Sequence, residues 1–476
     1  MSLFGSLEIG RSALMAQYKG MEVSGQNVAN ANTLGYTRQR VDMEAIVPAI
    51  VAGNQIAPGQ GVRISDITRI SSEFYHTQMV RNGSYKSYWE TMQEAYRSVE
   101  VSLMEPSEEG VGKLLEDFFD TWHHLSAGPE SIAVRMGLRD HAITFTRAIS
   151  DTYNRLNEFR RGFVDETEAT VVELNRLASE IAGINEKLIY LHALQEKSNE
   201  MFDQLDLALE ELGKLVDIAV YQKNNGAVDV FIGGRLLVQE KYAFSVHLQT
   251  REIPGALYDR YEIVNHRGQV LDLQSGRLAG LLETVNDTLP GAQDEMNHIV
   301  TQLVNSINAI HRDGYGLDFV TGRNFFNEIA DDGGPASLQF NVNPEIIEDP
   351  ARIGAASEAA QPGNGEVALE LGRLRMEKAI GSLRKDGTFE KTATFSDYYR
   401  GMITEMGVKG MESDRMTSVY EKAEMQLRER HRSITGVNID EEAINMIQFQ
   451  HAWQGAAKFI NYIDEMLAVL LNIGYR

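Results

Sequence analysis

Both ends of this chain carry apolar residues at a spacing of seven, the repeat of a coiled coil. The amino-terminal stripe lies on a helix predicted over residues 3–31, and its members are Leu7, Leu14, Met21 and Val28. So narrow a stripe is typical of a seam between two helices and is too thin for the buried face of a globular helix. The amino-terminal helix therefore needs a partner.

The last predicted helix carries two such stripes side by side. Their members are Met446, Trp453, Ile460 and Leu467, and Phe449, Ala456, Ile463 and Leu470. At about 1.5–3 kcal/mol for each side chain, burying all of them would contribute more than about 10 kcal/mol. We predict that the two ends pair as a coiled coil and also pack against other copies of the chain.

The preceding helical stretch repeats this pattern. Its stripes are Phe395, Met402, Met416 and Ala423, and Tyr399, Met406, Tyr420 and Leu427. Left in water, such a surface promotes aggregation, so the pattern predicts a partner for this helix as well.

Between the ends, helical periodicity gives way once to a strand pattern. Alternating residues with Asn225-Gly226 and Gly233-Gly234 turns predict a β-rich insertion over 216–276. The other predicted helices cover 72–103, 111–125, 130–215 with an interruption within 185–202, 280–311, and the chain after 365. The fold class is therefore mainly α with a β insertion: paired terminal helices, a long helical-bundle middle domain and a small β-rich outer domain.

The predicted domains follow from these elements. Residues 1–35 with 440–476 form a terminal helical domain, 36–215 with 277–439 form a helical rod, and 216–276 form the outer β domain. Residues 313–365 are a short, loop-rich variable segment. Residues 36–70 are extended, and a break is predicted at 106–110 because of its proline and glycine.

Composition limits the classes of partner. The chain has 476 residues, with 45 lysines and arginines against 68 aspartates and glutamates, and its net charge of −23 argues against nucleic acid and anionic membranes. It has no cysteine, which excludes disulfides, thiol catalysis and zinc–thiolate sites. Glu8 and Arg11 interrupt what would be the apolar region of a secretory signal, and no apolar run approaches a membrane span. We expect a cytosolic protein or one exported without a cleaved signal peptide.

The motif NVANANTLGYTRQ, residues 27–39, ends the first helix. Asparagine and glycine tolerate the left-handed conformation that such an end requires. Three asparagines and Arg38 are more than a helix end requires. We therefore predict a subunit contact in which the amides hydrogen-bond to neighbouring backbones and Arg38 or Arg40 reaches an acidic neighbour. The alternative is that the motif acts purely within the chain. The motif residues predicted to pack between subunits are Asn27, Asn30, Asn32, Thr33, Gly35, Tyr36, Arg38 and Gln39.

No chemistry beyond packing is predicted. Asp120 with His123, and Glu295 with His298, have the carboxylate-x-x-His spacing of di-metal bundles, but the two further glutamates of such a site are not marked. The motifs of serine hydrolases, HExxH metalloproteases and P-loop proteins are absent from the sequence. We predict no metal, no cofactor and no catalytic residue.

QNVANANTLGY resembles the amino-terminal signature of bacterial flagellar axial proteins, and the ending Tyr36-Thr37-Arg38-Gln39 narrows the resemblance to the hook–filament junction family of hook-associated proteins. The segments GQGVRISDITRI, FFDTWHHLSAGPESIAVR and INAIHRDGYGLDFVTGRNFF resemble family segments in the same order. ITGVNIDEEAINMIQFQHAWQGAAKFINYIDEMLAVLLNI is similar to the carboxyl-terminal signature. Gln26 and Leu34 depart from the pattern, and the stretch after Phe326 is short.

The resemblance, which covers nearly the whole chain, implies a structural subunit of the extracellular flagellum. It implies type III export, a dedicated chaperone at the carboxyl-terminal helix, and a helical ring of copies with hook protein below and the second hook-associated protein above. Three alternatives stay open: another axial protein such as the distal rod or hook protein, a secreted coiled-coil adhesin or effector, and a cell-wall hydrolase. VNIDEE and the long central helices argue against the first, and no catalytic pair supports the last.

Overall fold

The chain is mainly helical with short antiparallel strands, as predicted. The structure, a computed structural model, describes residues 3–46, 50–51, 55–56, 59–105, 107, 110–330, 334–383 and 389–474. The helices are α1 (Leu3–Ala29), α2 (Glu73–Leu103), α3 (Val111–Ala127), α4 (Ile132–Ala193), α5 (Asn199–Leu215), α6 (Arg277–Glu283), α7 (Leu289–His311), α8 (Ala336–Gln339), α9 (Pro344–Glu348), α10 (Glu366–Arg373), α11 (Phe395–Thr435) and α12 (Ile439–Gly474). A π-helical turn, Thr284–Thr288, joins α6 to α7, and a 3₁₀ turn spans Pro350–Arg352.

The strands form small separate sheets. They are β1 (Gln39–Ala45), β2 (Ile50–Val51), β3 (Gln55–Ile56), β4 (Val62–Arg69), β5 (Ile218–Gln222), β6 (Val228–Ile232), β7 (Arg235–Gln239), β8 (Tyr242–Ala243), β9 (Val246–Arg251), β10 (Arg260–Asn265), β11 (Ile380–Leu383) and β12 (Phe389–Ala393). The predicted extended segment 36–70 contains the β1–β4 pair and the short β2–β3 pair, and its residues 47–49, 52–54 and 57–58 lie outside the described residues. The predicted break at 106–110 also lies partly outside them.

The two ends of the chain pack together, which confirms the predicted pairing of the terminal helices. Helix α1 lies along α12, and two glycines of α1 allow the close approach. A Cβ atom at Gly10 would lie 2.6 Å from Ile460 Cγ1, and one at Gly20 would lie 2.8 Å from the ring of Phe449. Large side chains of α12 therefore rest on bare backbone of α1.

The body of the molecule has its own core. Helix α2 packs against α11 and α5, while α3 packs against α4 and α10. At the centre Trp122 and Phe118 of α3 are fully buried. The ring of Trp122 lies 4.9 Å from that of Phe325, and the ring of Phe118 lies 5.7 Å from that of Phe326. These tilted aromatic contacts join the helical bundle to the loop that follows α7.

The β segment lies where the sequence predicts it. Strands β5 to β8 form a four-stranded antiparallel meander, and β9 pairs with β10. The turns occur at the predicted glycines, because Gly226, Gly233 and Gly234 have φ angles of +81°, +50° and +72°. On β6 the alternate residues are buried, as expected for a strand with one face on a core.

The chain after residue 365 departs from the prediction of helix throughout. Strands β11 and β12 form an antiparallel hairpin between α10 and α11. The sequence interpretation was wrong here because strands of four and five residues between helices show too little alternation to distinguish them. The hairpin is anchored to α7, where the ring nitrogen Nε2 of His298 lies 2.8 Å from the carbonyl oxygen of Gly381.

The predicted interruption of the long central helix is present. Helix α4 ends at Ala193 and α5 begins at Asn199, inside the predicted window of 185–202. Gln195 takes a left-handed φ of 59° in this link, and the Ser198 side chain caps α5 by accepting from the amide of Met201. None of the described helices has the length and apolar character of a membrane-spanning segment.

Candidate assembly interface

Asn27 ties the end of α1 to the start of β1. Its side chain is almost fully buried, at 1% exposure. The amide Nδ2 donates to the carbonyl oxygen of Gln39 at 2.8 Å, and Oδ1 accepts from the amide of Gln39 at 3.0 Å and from the hydroxyl of Tyr36 at 2.9 Å. The side chain therefore pairs with the peptide backbone as a neighbouring strand would.

The rest of the asparagine cluster ends the helix. Asn30 Nδ2 donates to the carbonyl oxygen of Gln26 at 3.0 Å, and the hydroxyl of Thr33 donates to Asn30 Oδ1 at 3.2 Å. Gly35 then takes a φ of +78°, a conformation that glycine adopts without strain. The predicted helix end is thus observed, and Asn32 is exposed beside it.

Helix α5 docks onto the motif through a carboxylate. The amide of Thr37 donates to Asp203 Oδ2 at 3.1 Å, and Arg69 Nη1 donates to Asp203 Oδ1 at 3.0 Å. Burial raises the pKa of Asp203, although these partners stabilise its charged form. Burial, together with the nearby carboxylates of Asp203 and Glu200, raises the pKa of Tyr36 to about 12, so its hydroxyl remains a donor to Asn27 at neutral pH.

Arg38 connects the motif to the start of α12. Its backbone amide donates to the carbonyl oxygen of Thr435 at 2.9 Å. Its Nε donates to Glu442 at 2.7 Å, and Nη2 donates to Glu441 at 2.9 Å. The side chain of Glu442 is 2% exposed, so this charge-assisted pair is largely shielded from water. The two carboxylates also lie in the first turn of α12, where they oppose the positive end of the helix dipole.

The acidic partner predicted for Arg38 is therefore found inside the same chain. The partners described above for Asn27, Asn30 and Tyr36 also belong to this chain, and the side-chain amide of Gln39 lies 3.4 Å from Glu200. Arg40 contacts Asp42 on its own strand. The prediction that the motif contacts a neighbouring subunit stays a prediction.

The apolar stripe of α1 lies beside the centre of the helix contact. Leu7, Leu14, Met21 and Val28 are all half-buried. The most buried positions of α1 are instead small or polar side chains, and they are Gly10, Ala16, Gly20, Val23, Ser24 and Asn27. A helix contact of this kind is centred on close backbone approach, with the larger stripe residues at its edge.

The predicted positions of α12 divide between covered and uncovered sides. Ile463 is 1% exposed, and the half-buried residues are Phe449, Trp453, Ile460 and Leu467. Met446 and Leu470 are 37% and 53% exposed. Both stripes of α12 therefore contact α1, through Ile460 and Phe449, and each stripe has one exposed member.

A second apolar face of α12 has no cover within the described chain. Its members are each at least 51% exposed, and they are Ile439, Ile444, Ile447, Tyr462, Met466, Val469 and Leu470. On α1 the exposed large apolar residues are Phe4, Met15 and Tyr18, at 74%, 59% and 59%. Exposed large apolar side chains grouped in this way, at 439–447 and 462–470 of α12, favour interaction with another protein.

The residues weighed as metal ligands have other contacts. Asp120 pairs with Arg375, and Glu295 Oε2 accepts from the hydroxyl of Tyr398 at 2.5 Å. His298 contacts the β11 backbone, as described above. Among the residues that the structure describes, no three histidine or carboxylate side chains are grouped so that they could hold a metal ion.

Sequence analysis missed several residues of this interface. Asp203 lies far from the motif in the chain, and only tertiary contact brings it to Thr37. Gly10 and Gly20 carried a signal, because glycine inside a helix is costly unless something approaches closely. Glu441 and Glu442 were visible as acidic residues at a helix start, but their pairing with Arg38 was not.

Sequence comparison places both ends and the middle of the chain among flagellar proteins. Residues 96–326 match the flagellar hook-associated protein FlgK helical domain. Residues 7–37 match the flagella basal body rod protein family, and residues 433–473 match the flagellar basal body rod FlgEFG protein C-terminal family. The fold and the paired ends thus define a structural protein of the flagellar axis.

Relatives of known name narrow this class. The chain is similar to flagellar hook-associated protein 1 of Bacillus subtilis, at 26% identity over 99% of this chain and 98% of the relative. It is similar to the protein of that name from Salmonella typhimurium, at 20% identity over 97% and 98% of the two chains. The flagellar hook junction protein FlgK from Burkholderia pseudomallei shares its fold, with a TM-score of 0.65 at 14% identity over 75% of this chain and all of that one.

The chain belongs to the flagellar hook-associated protein 1 family. Its members are structural components of the extracellular flagellum, so the predictions of a structural, non-enzymatic protein and of this location are confirmed. The alternatives of a secreted adhesin and a cell-wall hydrolase are set aside. The rod-protein families match the chain only at its two ends.

Proposed function

We propose that this chain is the subunit that joins the flagellar hook to the filament. Its terminal domain, 1–35 with 440–476, forms the axial core of the assembly. The helical rod, 36–215 with 277–439, and the β segment, 216–276, project outward from that core. Support comes from relatives of full length named hook-associated protein 1 and from the uncovered apolar face of the terminal helix pair.

The uncovered face of α12 is the observation that carries this proposal. Full burial of each large apolar side chain is worth about 1.5–3 kcal/mol, so a face that remains exposed in one chain favours association. A contact between unlike faces of successive copies generates a ring if it closes and an open helix if it does not. The terminal helices of several copies together therefore complete a core that one copy leaves half built.

We propose that different partners cover this face before and after assembly. Before assembly it must be covered, so we propose that an export chaperone binds the carboxyl-terminal helix. In the flagellum the neighbours are copies of the chain in a helical ring, hook protein below and the second hook-associated protein above. At the motif, exposed residues such as Asn32 and Leu34 are available to contact a neighbour. Asn27 and Arg38 instead link α1 to β1 and to α12 through their hydrogen bonds.

Deletion of the gene tests the proposal. We expect hooks without filaments and flagellin released into the medium, both visible by electron microscopy and by immunoblotting. Normal filaments on the deletion strain would reject the junction role.

Complementation then tests the apolar face itself. The double variant Ile447→Glu with Val469→Glu places charge on the uncovered face and is expected to leave hooks bare. The control, Gln448→Glu with Gln454→Glu, adds the same charge at exposed polar positions of the same helix and should restore filaments. Equal restoration by both variants would show that this face is not buried in the assembly.

A further inference from the structure

A groove between α2 and α11 has the form of a receptor for a third helix. Its volume is about 920 Å³, and its floor is formed by Tyr85 of α2 and by Tyr420, Ala423 and Leu427 of α11. The rings of Tyr85 and Tyr420 stack at 5.4 Å and 14°. The stacking holds these two rings in place before any partner binds, which lowers the entropic cost of ordering them.

The groove contains apolar residues of α11 that do not pack in the core of the body. The apolar stripes predicted on α11 begin with Phe395, Tyr399 and Met402, which are buried in the body. Farther along the helix the stripes reach Tyr420 and Leu427, which lie in the groove floor and are only half-buried. Spacings of three and four residues are those that receive a packed helix.

The rims of the groove carry positive charge on an otherwise acidic chain. Arg81 and Arg430 are exposed and form no ion pair within the described residues. The guanidinium of Arg81 lies 5.9 Å from the ring centre of Tyr85. Glu429 is the one carboxylate among the described residues of the lining. Since the chain has a net charge of −23, a second copy as a whole is attracted to these arginines.

We propose that this groove receives the first turns of α12 from a neighbouring copy of the chain, an inference that rests on the proposed self-assembly. The occupant has the required chemistry, because Asp440, Ala443, Ile444 and Ile447 lie on one face of the helix and are all exposed. Ile444 and Ile447 would lie on the tyrosine floor, and Asp440 would reach the arginines.

Position supports the same occupant. Ser433 lines one end of the groove, and α12 begins just beyond it at Ile439. The groove therefore ends six residues along the chain from the helix whose uncovered face is proposed to pack against neighbouring copies. Glu441 and Glu442 are held by Arg38 of their own chain, whereas Asp440 is exposed and forms no ion pair within the described residues.

Cross-linking tests the contact directly, because the natural chain has no cysteine. Gln426→Cys in the groove lining and Ala443→Cys on α12 are introduced together and separately into cells that lack the wild-type gene. Purified hook–filament structures are then treated with a short bismaleimide. A ladder of cross-linked chains is expected only when both cysteines are present. Assembled protein from the double variant that gives only monomer would overturn the proposal.

Charge exchange gives a second, independent test. Arg81→Glu with Arg430→Glu should leave most hooks without filaments, and adding Asp440→Arg should restore them. The control, Arg415→Glu with Lys422→Glu, changes two exposed cations of α11 outside the groove and should assemble normally. Normal filaments with the Arg81 and Arg430 variant would reject the groove contact while leaving the junction role intact, whereas filaments on the deletion strain would reject both.

Discussion

The terminal helix pair and the aromatic core of the body solve the same problem of burial in opposite ways. The body encloses its large side chains, and Trp122 and Phe118 are completely buried. The pair of α1 and α12 buries one side of each helix and leaves apolar residues such as Tyr462 and Val469 in water. The aromatic core is therefore complete within a single chain, while the terminal pair leaves apolar surface for further packing.

This difference also appears in the kind of contact. Aromatic rings interlock in the body at centroid distances such as 4.9 Å between Trp122 and Phe325. In the terminal pair, by contrast, Phe449 rests on the backbone of Gly20. Close backbone approach makes a slender two-helix pair, which leaves room for further helices around it.

Truncation of one tryptophan in each region should give the largest contrast. Trp122→Ala is expected to cost about 3–5 kcal/mol, because it empties a closed core. Trp453→Ala in the half-covered seam should cost less than about 1.5 kcal/mol in the single chain, since only part of its surface is covered. Hydrogen exchange of the α3 and α12 amides measures both effects. Similar losses at the two sites would contradict the contrast.

The buried imidazole of His311 should make the body sensitive to acid. Burial lowers the pKa of His311 to about 4 from 6.5, and the ring accepts from the amide of Gly354 at 2.8 Å. Between pH 6.5 and pH 4 the unfolded chain binds a proton at His311 that the folded chain does not bind. The free energy of unfolding is therefore highest above pH 6.5 and falls towards pH 4, by up to about 3 kcal/mol.

Unfolding midpoints between pH 4 and 7 measure this effect. His311→Gln should be less stable at neutral pH but should show a flatter pH dependence. An unchanged slope in that variant would assign the acid sensitivity to other groups.

Loss of the ion pairs between Arg38 and the start of α12 should have an intermediate effect on stability. Arg38→Met removes the donors to Glu441 and Glu442 and leaves the nearly buried Glu442 unpaired, at an expected cost of about 1.5–3 kcal/mol. Hydrogen exchange should rise in the first turns of α12 while the body stays protected. Arg40→Met is the matched control, because the Arg40 side chain is 66% exposed and its ion pair among the described residues is with Asp42 of its own strand. Equal effects of the two variants would show that the ion pairs of Arg38 do not stabilise the start of α12.

The glycine contact should give the smallest effect. Gly20→Val places methyl groups against the ring of Phe449 and should cost about 1–3 kcal/mol by overpacking, with faster exchange along α12 alone. At Gly25 a Cβ meets no atom within 4 Å, so Gly25→Ala should stabilise α1 by about 0.5–1 kcal/mol. Destabilisation of equal size at both positions would rule out close packing as the cause.

Sequence analysis could predict elements whose pattern is local and long. Helix α12, the pairing of the ends and the hairpin turns at Gly226 and Gly233 follow from periodicity and from residue type. The β11–β12 hairpin could not be predicted, because its strands are too short to show a period. The partners of Arg38 and Thr37 depend on residues hundreds of positions away or on another helix, and no local pattern encodes that proximity.

Sequence analysis alone establishes that the ends are helices with seams, that a β segment interrupts the helical middle, and that the terminal signatures resemble those of flagellar axial proteins. These properties are written in spacing and residue type along one element. The side of each terminal helix that is covered is seen only in the folded chain. The covered side depends on the shape of both helix surfaces. Gly10 and Gly20 lie at the centre of the contact, because bare backbone lets Ile460 and Phe449 approach closely. Leu7 and Leu14 lie at its edge.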